Sequence, residues 1–110
     1  MEINRTFDLL TNLKNNFPPK EDILARRTPE GWKKYSIDDY CEISHSIAYA
    51  ALAAGLEPQT KVITITPNRP EWNFIDMGLA LAGMVHIPVY PTSSADDFRH
   101  IFTNSDARYI

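Results

Sequence analysis

The chain has 110 residues, 44% of them hydrophobic and 23% charged, which is ordinary globular usage and enough length for one hydrophobic core. Eleven basic against fourteen acidic residues give a formal charge of −3, so the net balance supplies no attraction for nucleic acid or an anionic membrane, and neither is expected as a partner. The single cysteine, Cys41, excludes an internal disulfide, and no Cys/His cluster has metal-ligand spacing; a reducing, cytoplasmic setting is the expectation.

Polar residues interrupt each short apolar run near Met1-Glu2-Ile3-Asn4-Arg5, so no signal or transit peptide is expected. From Thr6 to Asn16, Phe7, Leu10 and Leu13 recur at helical spacing, and Pro18-Pro19 cannot continue a helix. Segments Ile23 to Arg27 and Lys33 to Ser36 flank Thr28-Pro29-Glu30-Gly31, whose proline and glycine supply turn geometry: a hairpin with basic exposed residues. Ser36 and Asp39 form a capping-box pattern ahead of the stripe Tyr40, Ile43, Ile47, Ala50, Ala51, Ala54, and Gly55 provides a left-handed stop.

Lys61 to Thr66 is a β-branched run suited to a parallel strand covered on both faces. Pro70 starts the next helix, with Asn68 or Arg69 as cap, and the helix runs to about Gly83. Only Glu71, Asn73 and Asp76 are polar in it, so it must be covered on more than one side; Asn73, Asp76, Ala80 and Gly83 are the expected seam for a close backbone approach. The apolar window Phe74 to Tyr90 is broken by Asp76, His86 and Pro88 and reads as protein interior, not a membrane span. Val85 to Tyr90 reads as a second strand, Ser94 to Phe102 as a helix with Asp96 and Asp97 in its first turn, and Ala107 to Ile110 as the start of a third strand.

The order strand, helix, strand, helix, strand predicts an α/β fold: a layered, parallel βαβαβ core preceded by a helix and a hairpin. Residues 1–60 supply the helix, hairpin and Ala-rich helix, and 61–110 the βαβαβ unit. Because Tyr109 and Ile110 lie inside the presumed third strand, the chain is expected to be truncated.

Ligands of such sheets bind outside the carboxyl ends of the strands, here Thr66-Pro67-Asn68-Arg69 and Tyr90-Pro91-Thr92-Ser93-Ser94. Neither loop contains glycine or an acid, which argues against a dinucleotide fold, a phosphate-cradling loop and a magnesium-dependent phospho-acceptor. His45, His86 and His100 are widely spaced with no nucleophile elbow beside them, so a nucleophilic triad has no support and each is read as structural or solvent-exposed. Cys41 is read as a buried inert thiol, and Arg26, Arg27, Lys33 and Lys34 as a solvated hairpin face; Trp32 and Tyr35 give little of a nucleic-acid platform.

Asn68-Arg69-Pro70-Glu71-Trp72, the apolar helix, Gly83, and Ile87-Pro88-Val89-Tyr90-Pro91-Thr92-Ser93-Ser94 together resemble the early part of the AMP-forming acyl-CoA synthetases, and most of all the long-chain fatty acid CoA ligases. Upstream, Gly31-Trp32, Tyr35-Ser36-Ile37, an Ala-rich helix closed by Gly55-Leu56, and Lys61-Val62-Ile63-Thr64-Ile65 follow the same order, so the resemblance covers roughly residues 6 to 110. On its own, Pro70-Glu71-Trp72 equally describes a helix start with a core tryptophan.

The resemblance implies that residues 1–110 are the N-terminal part of a large AMP-binding domain. The whole enzyme would join a fatty acid to ATP as an acyl-adenylate and pass the acyl group to coenzyme A, with magnesium as its metal. The family's phosphate loop, Tyr-Gly-x-Thr-Glu-like segment, ribose-holding Asp and mobile Lys do not occur here, so the stretch by itself is expected to have no catalytic residue, no metal and no cofactor. In related enzymes the loop after the second strand runs near the coenzyme A nucleotide; the matching positions are Tyr90, Pro91 and Thr92, and the opposing reading is that Tyr90 packs and Pro91 ends the strand. A small non-catalytic α/β binding or interaction module is the alternative function. Too few elements are present to cover the apolar helix and both sheet faces, so self-association is expected.

Overall fold

The computed structural model describes residues 2–110, in the element order α1 (Asp8–Asn16), β1 (Leu24–Thr28), β2 (Gly31–Tyr35), α2 (Ile37–Ala53), β3 (Lys61–Ile65), α3 (Pro70–Leu81), β4 (Val85–Val89) and α4 (Ala95–Ser105). Strands β1 and β2 pair antiparallel from Leu24↔Tyr35 to Thr28↔Gly31 around a two-residue Pro29-Glu30 turn. Gly31 closes that turn at φ +122°, a conformation side chains resist, and the Thr28 hydroxyl donates to its carbonyl at 2.8 Å.

Helix α2 begins as its sequence signals: Ser36 accepts from the Asp39 amide and Asp39 accepts from the Ser36 amide at 2.9 Å. It ends at a left-handed Gly55, φ +84°. At the start of α3 the cap is Arg69, whose side chain makes no capping bond; its guanidinium turns instead to Glu71, at 2.9 and 3.2 Å. Proline at the first position, which needs no amide partner, compensates for that missing cap.

Strands β3 and β4 pair in parallel from Lys61↔Val85 to Ile65↔Val89. The expected third strand is reduced to a single parallel bridge, Val62↔Tyr109, with the Ile63 amide donating to the Tyr109 carbonyl at 2.9 Å. Tyr109 therefore lies on the side of β3 away from β4. The crossover from β3 to β4 and the return across β3 run in opposite directions, so right-handed connections put α3 and α4 on opposite faces. Side-chain bonds agree: Thr64 and His86 reach toward Asp76 of α3, whereas Lys61 donates to the Ser105 carbonyl at the end of α4, at 2.7 Å.

Helix α3 is the centre of the molecule, between α2 and the sheet, with β1 near its start. Its nearly all-round apolarity thus has the two-sided cover the sequence called for. The main cluster joins Leu10, Ile37, Cys41 and Met77, edged by Phe7, Leu13, Ile23 and Tyr40. Phe74 is buried against Tyr35 edge-on, ring centroids 5.0 Å apart, and against Tyr40.

The close approach between backbones is not at the expected Asn73, Asp76, Ala80 and Gly83 seam. It is at Gly78, where an added Cβ would stand 2.7 Å from Ile47 Cγ2 and 2.9 Å from the Ser44 carbonyl oxygen. Asp76, one of the seam's polar members, faces the sheet instead and bonds His86.

Candidate functional site

Ligands of open α/β sheets bind in the crevice outside the carboxyl ends of the strands. Strands β3 and β4 pair in parallel along their whole length. At their carboxyl ends lies a cleft of about 210 Å³ lined by Thr66, Asn68, Trp72, Pro88, Val89 and Tyr90. Both loops singled out from the sequence contribute to it.

Tyr90 is 80% exposed and does not pack into the core of these residues. It has just left β4, and the Ser93 amide bonds its carbonyl at 3.1 Å, making Tyr90-Pro91-Thr92-Ser93 a turn with proline at the second position, where its fixed φ fits. Pro91 does end the strand, as the opposing reading also held. Pro91 and Thr92 are exposed in this turn, beside the cleft and outside its lining.

Trp72, from the first turn of α3, is half-buried, not enclosed in the core, and connects the cleft to a polar chain beneath it. Its ring lies 5.4 Å from that of His86. His86 Nδ1 is 2.8 Å from Asp76 Oδ1 and Nε2 is 2.7 Å from the Thr64 hydroxyl, with the imidazole side chain only 6% exposed. With the Nδ1–H tautomer, the imidazole donates to Asp76 and accepts from Thr64, and both nitrogens are satisfied. The chain joins β3, α3 and β4 at the base of the crevice.

The structural reading of His86 survives, with partners the spacing alone did not reveal. A lone acid in an apolar helix and a lone histidine in an apolar strand were the available signals; the register Val62↔His86, which brings His86 beside Thr64, was not readable from the sequence.

Elsewhere, His45 bonds the Cys41 carbonyl one helical turn back at 2.8 Å and is exposed, as is His100. Cys41 is buried and its thiol is pushed up by that burial, consistent with an inert role. Burial, and secondarily the Asp76 charge, raises the Tyr40 phenol. At the mouth of the β3–α3 loop the Arg69 guanidinium holds the Glu71 carboxyl below its ordinary range, chiefly by hydrogen bonding.

The cleft is lined by hydroxyl, amide, phenol, indole and aliphatic groups, and no charged side chain. Such a wall can stack a planar ring and hydrogen-bond neutral groups; it lacks the cations a polyphosphate needs and the carboxylates magnesium takes. These residues do not fit ATP or its metal. Among the described residues, no group of three His, Cys, Asp or Glu side chains is arranged to hold a metal ion.

Fold and cleft define an α/β unit with helices on both faces of a parallel sheet and a neutral cleft at the strands' carboxyl ends. Comparison with known proteins narrows that class: the family model described as AMP-binding enzyme matches residues 14–110, nearly the whole chain. The chain belongs to the AMP-binding enzyme family.

It is 31% identical over 78 residues to the long-chain-fatty-acid–CoA ligase heimdall of Drosophila melanogaster, a match covering 71% of this chain and 12% of that ligase. The fatty acid AMP ligase from Legionella pneumophila superposes with a TM-score of 0.81 at 19% identity, over 96% of this chain and 19% of that one. The N-terminal subdomain of Klebsiella oxytoca NpsA, solved with 3-hydroxyanthranilyl-AMSN, gives 0.80 at 19% identity over 97% and 26%. At these identities the two structures establish the shared fold.

Proposed function

We propose that residues 1–110 form the opening part of the large domain of an AMP-forming acid–thiol ligase acting on long-chain fatty acids, with ATP, magnesium and coenzyme A used by the whole enzyme. The family match over residues 14–110 carries this reading, and the long-chain specificity leans on the resemblance to the heimdall ligase. The stretch spans 12% of that ligase, and the crevice has no charged lining, so in this proposal ATP activation belongs to the rest of the enzyme. Residues 1–60 buttress the 61–110 unit through α2 on α3. A cytoplasmic enzyme fits a chain whose one cysteine is a buried thiol; among the described residues no helix is long and apolar enough to cross a membrane.

Within that enzyme we assign the loop Tyr90, Pro91 and Thr92 to the coenzyme A side. The exposed Tyr90 ring at a neutral cleft suits the adenine ring or the pantetheine amides, not the phosphates. Thioester formation by the ligase carrying these residues, measured across acid chain lengths, should favour long chains; preference for acetate, benzoate or an amino acid would refute the substrate assignment. Tyr90→Ala should raise KM for coenzyme A roughly tenfold, the loss of about 1.4 kcal/mol of binding, while acid-dependent ATP–pyrophosphate exchange stays within twofold. An exchange defect as large as the thioester defect would remove Tyr90 from that side. Exposed Phe17, Tyr49, Leu52, Ile65 and Ile110 lead us to expect self-association of the isolated 110 residues, read by sedimentation equilibrium; one monomeric mass at all concentrations would refute it.

A further inference from the structure

We propose that the outer face of the β1–β2 hairpin docks the protein on an anionic lipid surface. The hairpin from Leu24 to Tyr35 holds four basic residues, Arg26, Arg27, Lys33 and Lys34, against one acid, Glu30 in its turn. The other ninety-eight residues hold seven basic and thirteen acidic. A formal charge of −3 therefore conceals a hairpin of +3 on a body of −6. An anionic surface attracts the first and repels the second, which orients the molecule hairpin-first; the net charge alone hides this.

The register decides which side chains meet that surface. Arg27 pairs across from Trp32 and Ala25 from Lys34, so the two-residue period puts Ala25, Arg27, Trp32 and Lys34 on one face, all of them exposed. The opposite face turns toward the body at Tyr35, 8% exposed, and at Arg26, which approaches Glu71 at 3.6 Å, while Lys33 on that face stays exposed with its ammonium over the Tyr35 ring at 5.3 Å. Arg27 and Lys34 have no ion-pair partner among the described residues. Between them Trp32 is 63% exposed.

An indole held in water between two unpaired cations suits the headgroup boundary of a bilayer, where the ring enters the interface and the cations meet lipid phosphates. Single-stranded nucleic acid is the weaker fit. It requires successive aromatic faces, and the second aromatic of the hairpin that could have served, Tyr35, is turned inward.

The 110-residue chain tests this directly by co-sedimentation with vesicles of phosphatidylcholine alone and of phosphatidylcholine mixed with phosphatidylglycerol. Partitioning is expected only onto the anionic vesicles and should weaken as salt rises. Trp32→Ala, and separately the pair Arg27→Glu and Lys34→Glu, should each lower it roughly tenfold. Arg108→Glu, an exposed charge change of the same kind on the body, should alter it less than twofold. Circular dichroism and the urea midpoint verify that each variant is folded; a variant that is not is replaced by Trp32→Ser or by Arg27→Gln with Lys34→Gln. No binding to either vesicle, equal binding to both, or an equal loss in Arg108→Glu overturns the proposal. So does binding of single-stranded oligonucleotide with the same dependence on Trp32, Arg27 and Lys34 in the absence of vesicle binding.

Discussion

Helices α3 and α4 each follow a strand of the same sheet and are nearly equal in length, 12 and 11 residues, yet α3 buries five of its residues and α4 none. Helix α3 has no side-chain cap and is held by what surrounds it; α4 has a full capping box, with the Asp97 amide bonded to the Ser94 hydroxyl and the Ser94 amide to Asp97 at 3.0 Å. Helix α4 also ends at a left-handed Asp106, φ +58°, and its stacked Phe98 and Phe102 are only half-buried. Two neighbouring helices can therefore draw their order from different sources, one from packing on two sides and one from local termini. Substitutions should separate the two.

The largest effect is expected at Gly78. A Cβ there meets the Ser44 backbone carbonyl, which cannot rotate away, and the β-branched Ile47, which has little χ1 freedom in a helix. Gly78→Ala should destabilise the protein by about 3 kcal/mol in urea melts, despite alanine's better helix propensity. A neutral or stabilising result would mean that α2 and α3 are not tightly packed.

The two capping boxes give the next contrast. Ser36→Ala should cost about 1 kcal/mol of global stability, because α2 cannot fray without opening the core around Ile37 and Cys41. Ser94→Ala should lower global stability by less than about half as much, while hydrogen exchange accelerates across Ala95 to Ser105. Equal global losses would show that α4 is as integral as α2.

A smaller effect should appear with pH. The Glu71 carboxyl is depressed in the folded state, first by its Arg69 hydrogen bonds, so its contribution is present above the ordinary glutamate range and is lost as pH falls through the depressed value. The pair is partly exposed, so the contribution is screened and modest. Urea midpoints between about pH 5 and pH 3 should fall less steeply in Glu71→Gln than in the unmodified chain. Identical slopes would remove Glu71 from the acid response.

Much of this architecture was legible because its signals are local. Ser36 with Asp39, Gly31, Gly55 and Pro70 each dictate backbone geometry at their own position, and the corresponding element ends fall where those residues put them. The apolar surround of α3 foretold cover on two sides. Its close-contact residue is Gly78 and not the expected seam, because which small residue meets α2 depends on how the two helices cross, and the crossing is a tertiary fact.

The site was legible to a similar depth. Parallel order alone located the two strand-end loops, so Thr66, Asn68 and Tyr90 fell within the segments to examine. The contribution of Trp72 and Pro88 from outside those loops, and the Asp76–His86–Thr64 chain beneath, required the strand register and the face of the sheet that α3 covers. Neither can be computed from spacing along one chain.

Carboxylate-dependent ATP–pyrophosphate exchange, run on the isolated 110 residues and on the ligase proposed to contain them, shows where the activation chemistry resides. No exchange above buffer is expected from the isolated residues, and exchange with a long-chain fatty acid is expected from the ligase. Exchange by the isolated residues, or none by the longer protein with any carboxylic acid, would contradict the proposal.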